Sequence, residues 1–254
     1  MLPCCKKHSA IFLVLFSIFI INKAPCQYDA LHSPGNYQSR ENPYYWKNRK
    51  PYPDYFQQDV SYKIKASLND KTNIIDAQME LTYQNNSPDT LHYVFFHLYQ
   101  NAFQPNSYLD NLISANKKHA KWGNYEKQNL GTLIEQISVS GRNLNSDDAY
   151  TPEVIYDNTI VKVNLNYPLL PGGQVKFKMK FKSYFDTGSE RRRMKMFTHN
   201  GYKHYDGVHW YPRISVYDRK FGWDTQQHLG REFYGDYGSF DVELTLPNNY
   251  VAEA

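Results

Sequence analysis

Between Val175 and Lys182 every second residue is apolar and every other one is lysine: Val175, Phe177, Met179 and Phe181 against Lys176, Lys178, Lys180 and Lys182. A helix cannot use that pattern, because its side chains return to one face only every third or fourth residue. A strand throws successive side chains to opposite faces. The same period recurs upstream. Val60, Tyr62, Ile64, Ala66 and Leu68 alternate with Ser61, Lys63, Lys65, Ser67 and Asn69, and Ile75, Ala77, Met79, Leu81 and Tyr83 alternate with Asp76, Gln78, Glu80 and Thr82. Asn69-Asp70-Lys71-Thr72 between these two runs supplies turn residues, so the pair reads as a β-hairpin. One wet face and one dry face is the mark of an antiparallel sheet laid over a core.

Other strands follow from weaker signals. Leu91 to Tyr99 is apolar on both faces and is expected as a central strand, with His92 and His97 as hydrogen-bonded core or edge histidines. Leu133 to Val139 and the alternating Val161, Val163 and Leu165 give two more. Pro171-Gly172-Gly173 is the turn before the lysine-studded strand. That strand is expected at a sheet edge, where charge blocks pairing with other molecules, and its lysines as a solvated face rather than an anion site. Ser239 to Leu246 closes the series, with Phe240, Val242, Leu244 and Leu246 inward and Pro247 ending it. Gln100 to Gly131 breaks the period, with a short helix over Asp110 to Lys118. At least seven strands with no long amphipathic helix predict an all-β fold: a twisted antiparallel β-sandwich or saddle with long loops and little helix.

The N-terminus is of another kind. Lys6 and Lys7 precede the apolar run Ala10–Ile21, and Ala24-Pro25-Cys26-Gln27 follows. That order predicts a signal peptide over residues 1–26, for secretion or delivery to the periplasm and cell envelope. The run is shorter than the ~20 residues a spanning helix needs. An uncleaved anchor is the alternative, and a lipid anchor at Cys26 is another, although Pro25 makes a poor lipobox. Residues 27–59, rich in Tyr, Asn, Pro and Arg, read as an extended arm, and 60–254 as the β-domain. Cys4, Cys5 and Cys26 are the three cysteines, so the rest of the chain holds neither a disulfide framework nor a thiolate metal site. Without Lys6, Lys7 and Lys23 the balance is 26 basic to 25 acidic residues, which gives no footprint for nucleic acid.

Nucleophile elbows and phosphate-binding glycine loops are absent. His199, His204, His209 and His228 fall near Asp206, Asp218, Asp224, Glu232 and Asp236, a weak signal for a metal because no spacing orders it. Arg191-Arg192-Arg193 is expected as a solvated loop.

The densest information lies near the C-terminus, in Asp206-Gly207-Val208-His209-Trp210-Tyr211-Pro212-Arg213, Tyr217-Asp218, Phe221-Gly222-Trp223-Asp224, Glu232-Phe233-Tyr234 and Phe240 to Pro247. With His97-Leu98-Tyr99-Gln100-Asn101-Ala102-Phe103 and Leu170-Pro171-Gly172-Gly173, this order resembles the N-terminal β-domain of aminopeptidase N-type (gluzincin) zinc metallopeptidases, in particular Bacteroidetes-like secreted forms. The resemblance covers roughly Val60 to Ala254. It implies a domain that packs on a thermolysin-like catalytic domain, expected to follow Ala254, and forms one wall of its substrate cleft. Trp210, Tyr211, Arg213, Tyr217, Asp218, Trp223, Glu232, Phe233 and Tyr234 are then candidates for the interdomain or cleft face. No histidine here is followed by glutamate, so the family's His-Glu-x-x-His zinc motif is missing, as is Gly-x-Met-Glu-Asn. Catalytic and metal residues are therefore expected to be none in this chain, with zinc and the peptide substrate belonging to a full-length parent. A stand-alone carbohydrate- or protein-binding β-sandwich is the alternative, using Trp and Tyr as platforms.

Overall fold

The computed structural model describes residues 54–141, 149–191, 194–230 and 233–253. The leader, most of the arm, Arg192, Arg193 and Glu232 lie outside the described residues. The fold is mostly β, with several antiparallel sheets and no closed barrel. One sheet has five strands, in the order β13 (Gly238–Thr245), β1 (Asp59–Asn69), β2 (Ile74–Gln84), β7 (Gln174–Tyr184), β4 (Thr132–Ser140). A second has four, in the order β10 (Arg213–Ile214), β3 (Leu91–His97), β6 (Ile160–Leu169), β5 (Val154–Asp157). Two hairpins complete the set: β8 (Met194–His199) with β9 (Tyr202–Gly207), and β11 (Tyr217–Asp218) with β12 (Gly222–Trp223). The α-helix α1 is Tyr108–Ala115, capped by the Ser107 side chain, which accepts the N–H of Asp110.

The period-two runs behave as the pleat requires. Tyr62, Ile64, Leu81, Tyr83, Phe177 and Phe181 point inward and are buried, and Val94, Phe96, Val161 and Val163 of the second sheet meet them. Phe96 packs edge-on against Phe177, with ring centroids 5.3 Å apart, an arrangement the ring quadrupoles favour. The first hairpin is closed by Asn69, whose Oδ1 accepts the N–H of Lys71 and of Thr72. Asn73 takes the left-handed conformation (φ 58°) that asparagine tolerates better than most residues.

Four expectations need correction. The lysine-rich strand β7 lies inside the sheet, between β2 and β4. Its lysines are answered by carboxylates on both neighbours: Lys176 is 2.9 Å from Glu80, Lys180 is 3.7 Å from Glu135, and Lys182 contacts both Asp76 and Glu135. Strand β13 pairs parallel to β1, and Phe240, Val242 and Leu244 are 47%, 46% and 41% exposed. They share the face of Tyr62, Ile64 and Ala66 by register, but the covering layer does not close over that edge. β3 is central, yet only its C-terminal end is buried on both sides; His92 is exposed, and neither ring nitrogen of the buried His97 has a hydrogen-bond partner. Strands β5, β8 and β9 carry no clean alternation and were not anticipated.

Arg191 is the fourth correction, since its side chain is fully buried. Its Nε donates to Glu126 Oε1 at 2.6 Å, and Nη1 donates to the carbonyls of Tyr184 (2.8 Å) and Met194 (3.2 Å) and to Gln100 Oε1 (3.3 Å). Burial raises the pKa of Glu126 and lowers that of Arg191, each opposed by the partner's charge. Asp186 sits beside them and accepts the N–H groups of Asn124, Tyr125, Glu126 and Thr187. Breaking one side of such a pair strands a charge away from water. Arg191→Met or Glu126→Leu alone should therefore lower stability by about 3–5 kcal/mol in urea unfolding, while the double variant Arg191→Met/Glu126→Leu recovers more than half of that loss. Equal losses in single and double variants would overturn the assignment.

Candidate functional site

The segment from Val208 to Tyr237 has little regular structure of its own and is held by what it crosses. Gln100, in the short turn after β3, donates from Nε2 to the carbonyls of Val208 (3.1 Å) and His209 (3.2 Å). The carbonyl of Trp210 accepts from Ser183 Oγ on β7. β10 then adds to the edge of β3, placing Arg213 opposite His97 and Ile214 opposite Phe96, and Ile214 N–H donates to the buried Tyr62 hydroxyl at 2.9 Å. The β11–β12 turn is closed by Asp218, whose Oδ1 accepts from Lys220 and Phe221. Further on, Gln227 accepts from the N–H and Oγ1 of Thr159 and donates to the Asp157 carbonyl. The segment thus bridges both sheets.

The sequence-derived candidates do not form one cluster. Trp210 leans on Phe181 and Tyr211, and Tyr211 meets Tyr62 and Phe240. Trp223 lies over Tyr83 and against Phe95 and Tyr217. Tyr217 donates to Asp89 at 2.8 Å, and Tyr234 to Asp218 at 2.6 Å. Phe233 stands apart from these, with His209 at 3.7 Å, Tyr99 at 4.7 Å and His228 at 4.9 Å between ring centroids. Arg213 has Gly235 against its guanidinium: a Cβ at Gly235 would lie 1.8 Å from Nη2. Glu232 lies outside the described residues.

Around Phe233 the fold assembles groups that the sequence did not single out together. Tyr99 stacks face to face on His97 at 4.8 Å and meets His209 and His228 with its edges or tilted face. His97 Nε2 is 3.8 Å from Asp224 Oδ2, too long for a hydrogen bond. Burial pushes His97 down to about 4; Asp224 pulls against that shift and Arg213 adds to it. Burial also brings His228 down to about 4. Nearby, Asp236 is pushed up to about 7 by burial, with Arg213 opposing and Asp218 and Asp59 reinforcing. Its Oδ2 is buried without a partner. His97 and Tyr99 fall in one of the sequence motifs, and His209, Asp224, His228 and Asp236 in the His/Asp-rich stretch that gave the weak metal signal. No local pattern joins these two stretches, because the chain meets itself there across more than a hundred residues.

These groups are arranged for packing rather than for metal chemistry. His97, His209 and His228 present ring faces to Tyr99 and Phe233. Among the described residues no set of three His, Cys, Asp or Glu side chains could hold a metal ion. His199 and His204 lie away on the β8–β9 hairpin. A zinc site of the peptidase kind therefore does not fit the residues described.

No protein-family model matches the chain, and no curated protein matches it. Among solved structures it is similar to a mutant two-domain M1 zinc metallopeptidase bound to L-arginine (14% identity over 76% of this chain and 33% of that one, TM-score 0.39). It is also similar to the M1 zinc metallopeptidase from Deinococcus radiodurans (14% identity, 75% and 33% covered, TM-score 0.38). A mutant of the Deinococcus radiodurans enzyme bound to a Tyr-Ser-Ala substrate aligns at 13% identity, with 75% and 33% covered and a TM-score of 0.38. The chain spans about a third of the length of each.

The buried histidines set a pH dependence. A histidine that titrates lower in the folded than in the unfolded chain takes up more protons when unfolded, so its contribution is complete above pH ~6.5 and is lost as pH falls towards 4. For His97, brought down to about 4 by burial, the loss is on the order of 3 kcal/mol. Asp236 has the opposite sign: its contribution is present below its unfolded value near 4 and is lost as pH rises to about 7. Asp236→Asn is expected to raise stability at pH 8 and leave it unchanged at pH 3.5. His228→Phe should reduce the loss on going from pH 7 to pH 4.5. Chemical denaturation at those pH values measures both.

Proposed function

We propose that this chain is the non-catalytic β-domain of a secreted zinc aminopeptidase, packing on a thermolysin-like catalytic domain and forming one wall of its substrate cleft. The observation that carries the reading is the half-exposed apolar row of β13, Phe240, Val242 and Leu244. It continues the core face of β1 past the point where the covering layer stops, and a contiguous apolar strip of that kind marks an interaction surface. The order of motifs from His97 to Pro247 supports the peptidase parentage, and the chain resembles the N-terminal β-domain of that family. In this reading zinc, with its His-Glu-x-x-His ligands, and the peptide amine site belong to the catalytic partner, and the leader at 1–26 directs the protein out of the cytoplasm.

The ring geometry argues against the carbohydrate-platform alternative. Sugar platforms need coplanar rings open to solvent, whereas Trp210 and Trp223 are half-buried and spend their faces on Phe181, Tyr83 and Tyr217. The most exposed rings, Tyr202, Phe221 and Tyr237, come from three separate elements.

The chain alone is expected to release no p-nitroaniline from leucine p-nitroanilide; chelator-sensitive release would overturn the non-catalytic assignment. Co-expressed with a catalytic domain of this family, it should raise kcat/KM about tenfold or more through positioning. The double variant V242K/L244K should lose that gain while keeping its own unfolding midpoint within a few degrees. An unaltered gain would show that the row is not the docking face.

A further inference from the structure

The outer face of the five-stranded sheet is charged in a regular order. β13 presents Asp241 and Glu243, β1 Lys63 and Lys65, β2 Asp76 and Glu80, β7 Lys176 to Lys182, and β4 Glu135. The strands therefore read acidic, basic, acidic, basic, acidic. The register places opposite charges side by side: Lys63 opposite Asp241 and Glu80, Lys65 opposite Glu243, Lys178 opposite Glu80, and Lys182 opposite Asp76. Several of these pairs close as ion pairs, among them Lys65 to Glu243 at 2.8 Å. Cross-strand charge pairs of this kind favour correct neighbours and penalise like-charged ones.

The two edges of the sheet are not equivalent. At β4 the pairing register shifts between Ile134 and Gln136, Val139 and Tyr150 exchange two backbone hydrogen bonds, and Thr132 N–H donates to Asn101 Oδ1. Such features close an edge to further pairing. β13 has none of them. It follows β1 from Val60↔Gly238 to Ser67↔Thr245 without a register shift. No described strand pairs with its other side, no proline interrupts it, and no charged side chain points to its core face. A Cβ at Gly238 would come within 2.6 Å of the Val60 carbonyl oxygen, so the start of the strand is pressed tightly onto β1.

We propose that the β13 edge accepts an added strand whose side chains alternate between apolar and basic. Its apolar residues would extend the row Phe240, Val242, Leu244, its lysines or arginines would face Asp241 and Glu243, and its backbone would take the edge that no described strand occupies. The acidic–basic alternation dictates the sign, since the position beyond an acidic strand is a basic one. It also disfavours a second copy of this chain, because β13 against β13 sets carboxylates against carboxylates. The proposal rests on the docking reading only for the source of the strand, which is then a segment of the catalytic partner.

Labelled octapeptides titrated against the chain at pH 7 provide the test. A valine–lysine alternating peptide should bind about tenfold tighter than a valine–glutamate one, with the difference shrinking in high salt. The D241K/E243K variant should reverse the order, and amide exchange over 238–245 should slow on binding. Two valine–lysine peptides N-methylated at alternate backbone amides in opposite phases keep their charge, and the one whose methyl groups replace the donors facing β13 should bind weakly. Equal binding of both charge types, full binding by both methylated peptides, or no protection of β13 overturns strand addition. If that happens while V242K/L244K still abolishes the catalytic gain, the docking reading stands and only the mode of contact falls.

Discussion

A single guanidinium, with no access to water, ties together four separate segments of this domain. Arg191 reaches Glu126 from the 120s loop, the Tyr184 carbonyl at the end of β7, the Met194 carbonyl at the start of β8, and Gln100 after β3. Gln100 in turn holds the carbonyls of Val208 and His209. The aromatic segment is thus fixed at its entry by a network whose anchor is an ion pair. Gly188 belongs to the same device: a Cβ there would meet the Glu126 carboxylate at 1.9 Å, so any larger residue would displace the acid that neutralises Arg191. An apolar replacement could match the ion pair in stability. It could not reach four separate segments from one side chain, which is the work done here.

The five-stranded sheet reveals its logic in sequence because its information is local. Each strand carries its own period, and a strand that must be wet on one face and dry on the other has few alternatives to the observed pleat. The lysine ladder shows where local reading stops. Four lysines on one strand look like an edge, but the carboxylates that make them an interior feature lie on β2 and β4, nearly a hundred and about forty residues upstream. The sign of a strand was readable; the identity of its neighbours was not.

The same limit explains the histidine cluster and Arg191. In sequence, Arg191 stands in a run of three arginines after Gly188 and Ser189, which has every attribute of a solvated loop. Its burial depends on Glu126, sixty-five residues earlier. His97, Tyr99, Asp224, His228 and Phe233 meet because β10 joins the edge of β3, a contact of two residue pairs. Two-residue strands leave no periodic trace. The aromatic density of the segment is legible, and Trp210, Tyr211, Trp223 and Phe233 stand in it residue by residue. Their division between bracing the two sheets and surrounding Tyr99 is not legible there.

At Phe240, Val242 and Leu244 the local pattern is right about chemistry and wrong about burial. Their alternation marks a strand with a dry face, and the register with β1 puts that face in line with Tyr62 and Ile64. A strand patterned for a core yet left partly open is a mismatch between local pattern and fold, and such mismatches concentrate at functional sites. The stacking of Phe240 on Tyr62, centroids 4.8 Å apart and planes 3° from parallel, shows that the strand is joined to the core at its beginning. The remainder is held extended by its pairing with β1 as far as Thr245. An apolar edge already held extended along its neighbour spends little backbone entropy when a partner binds.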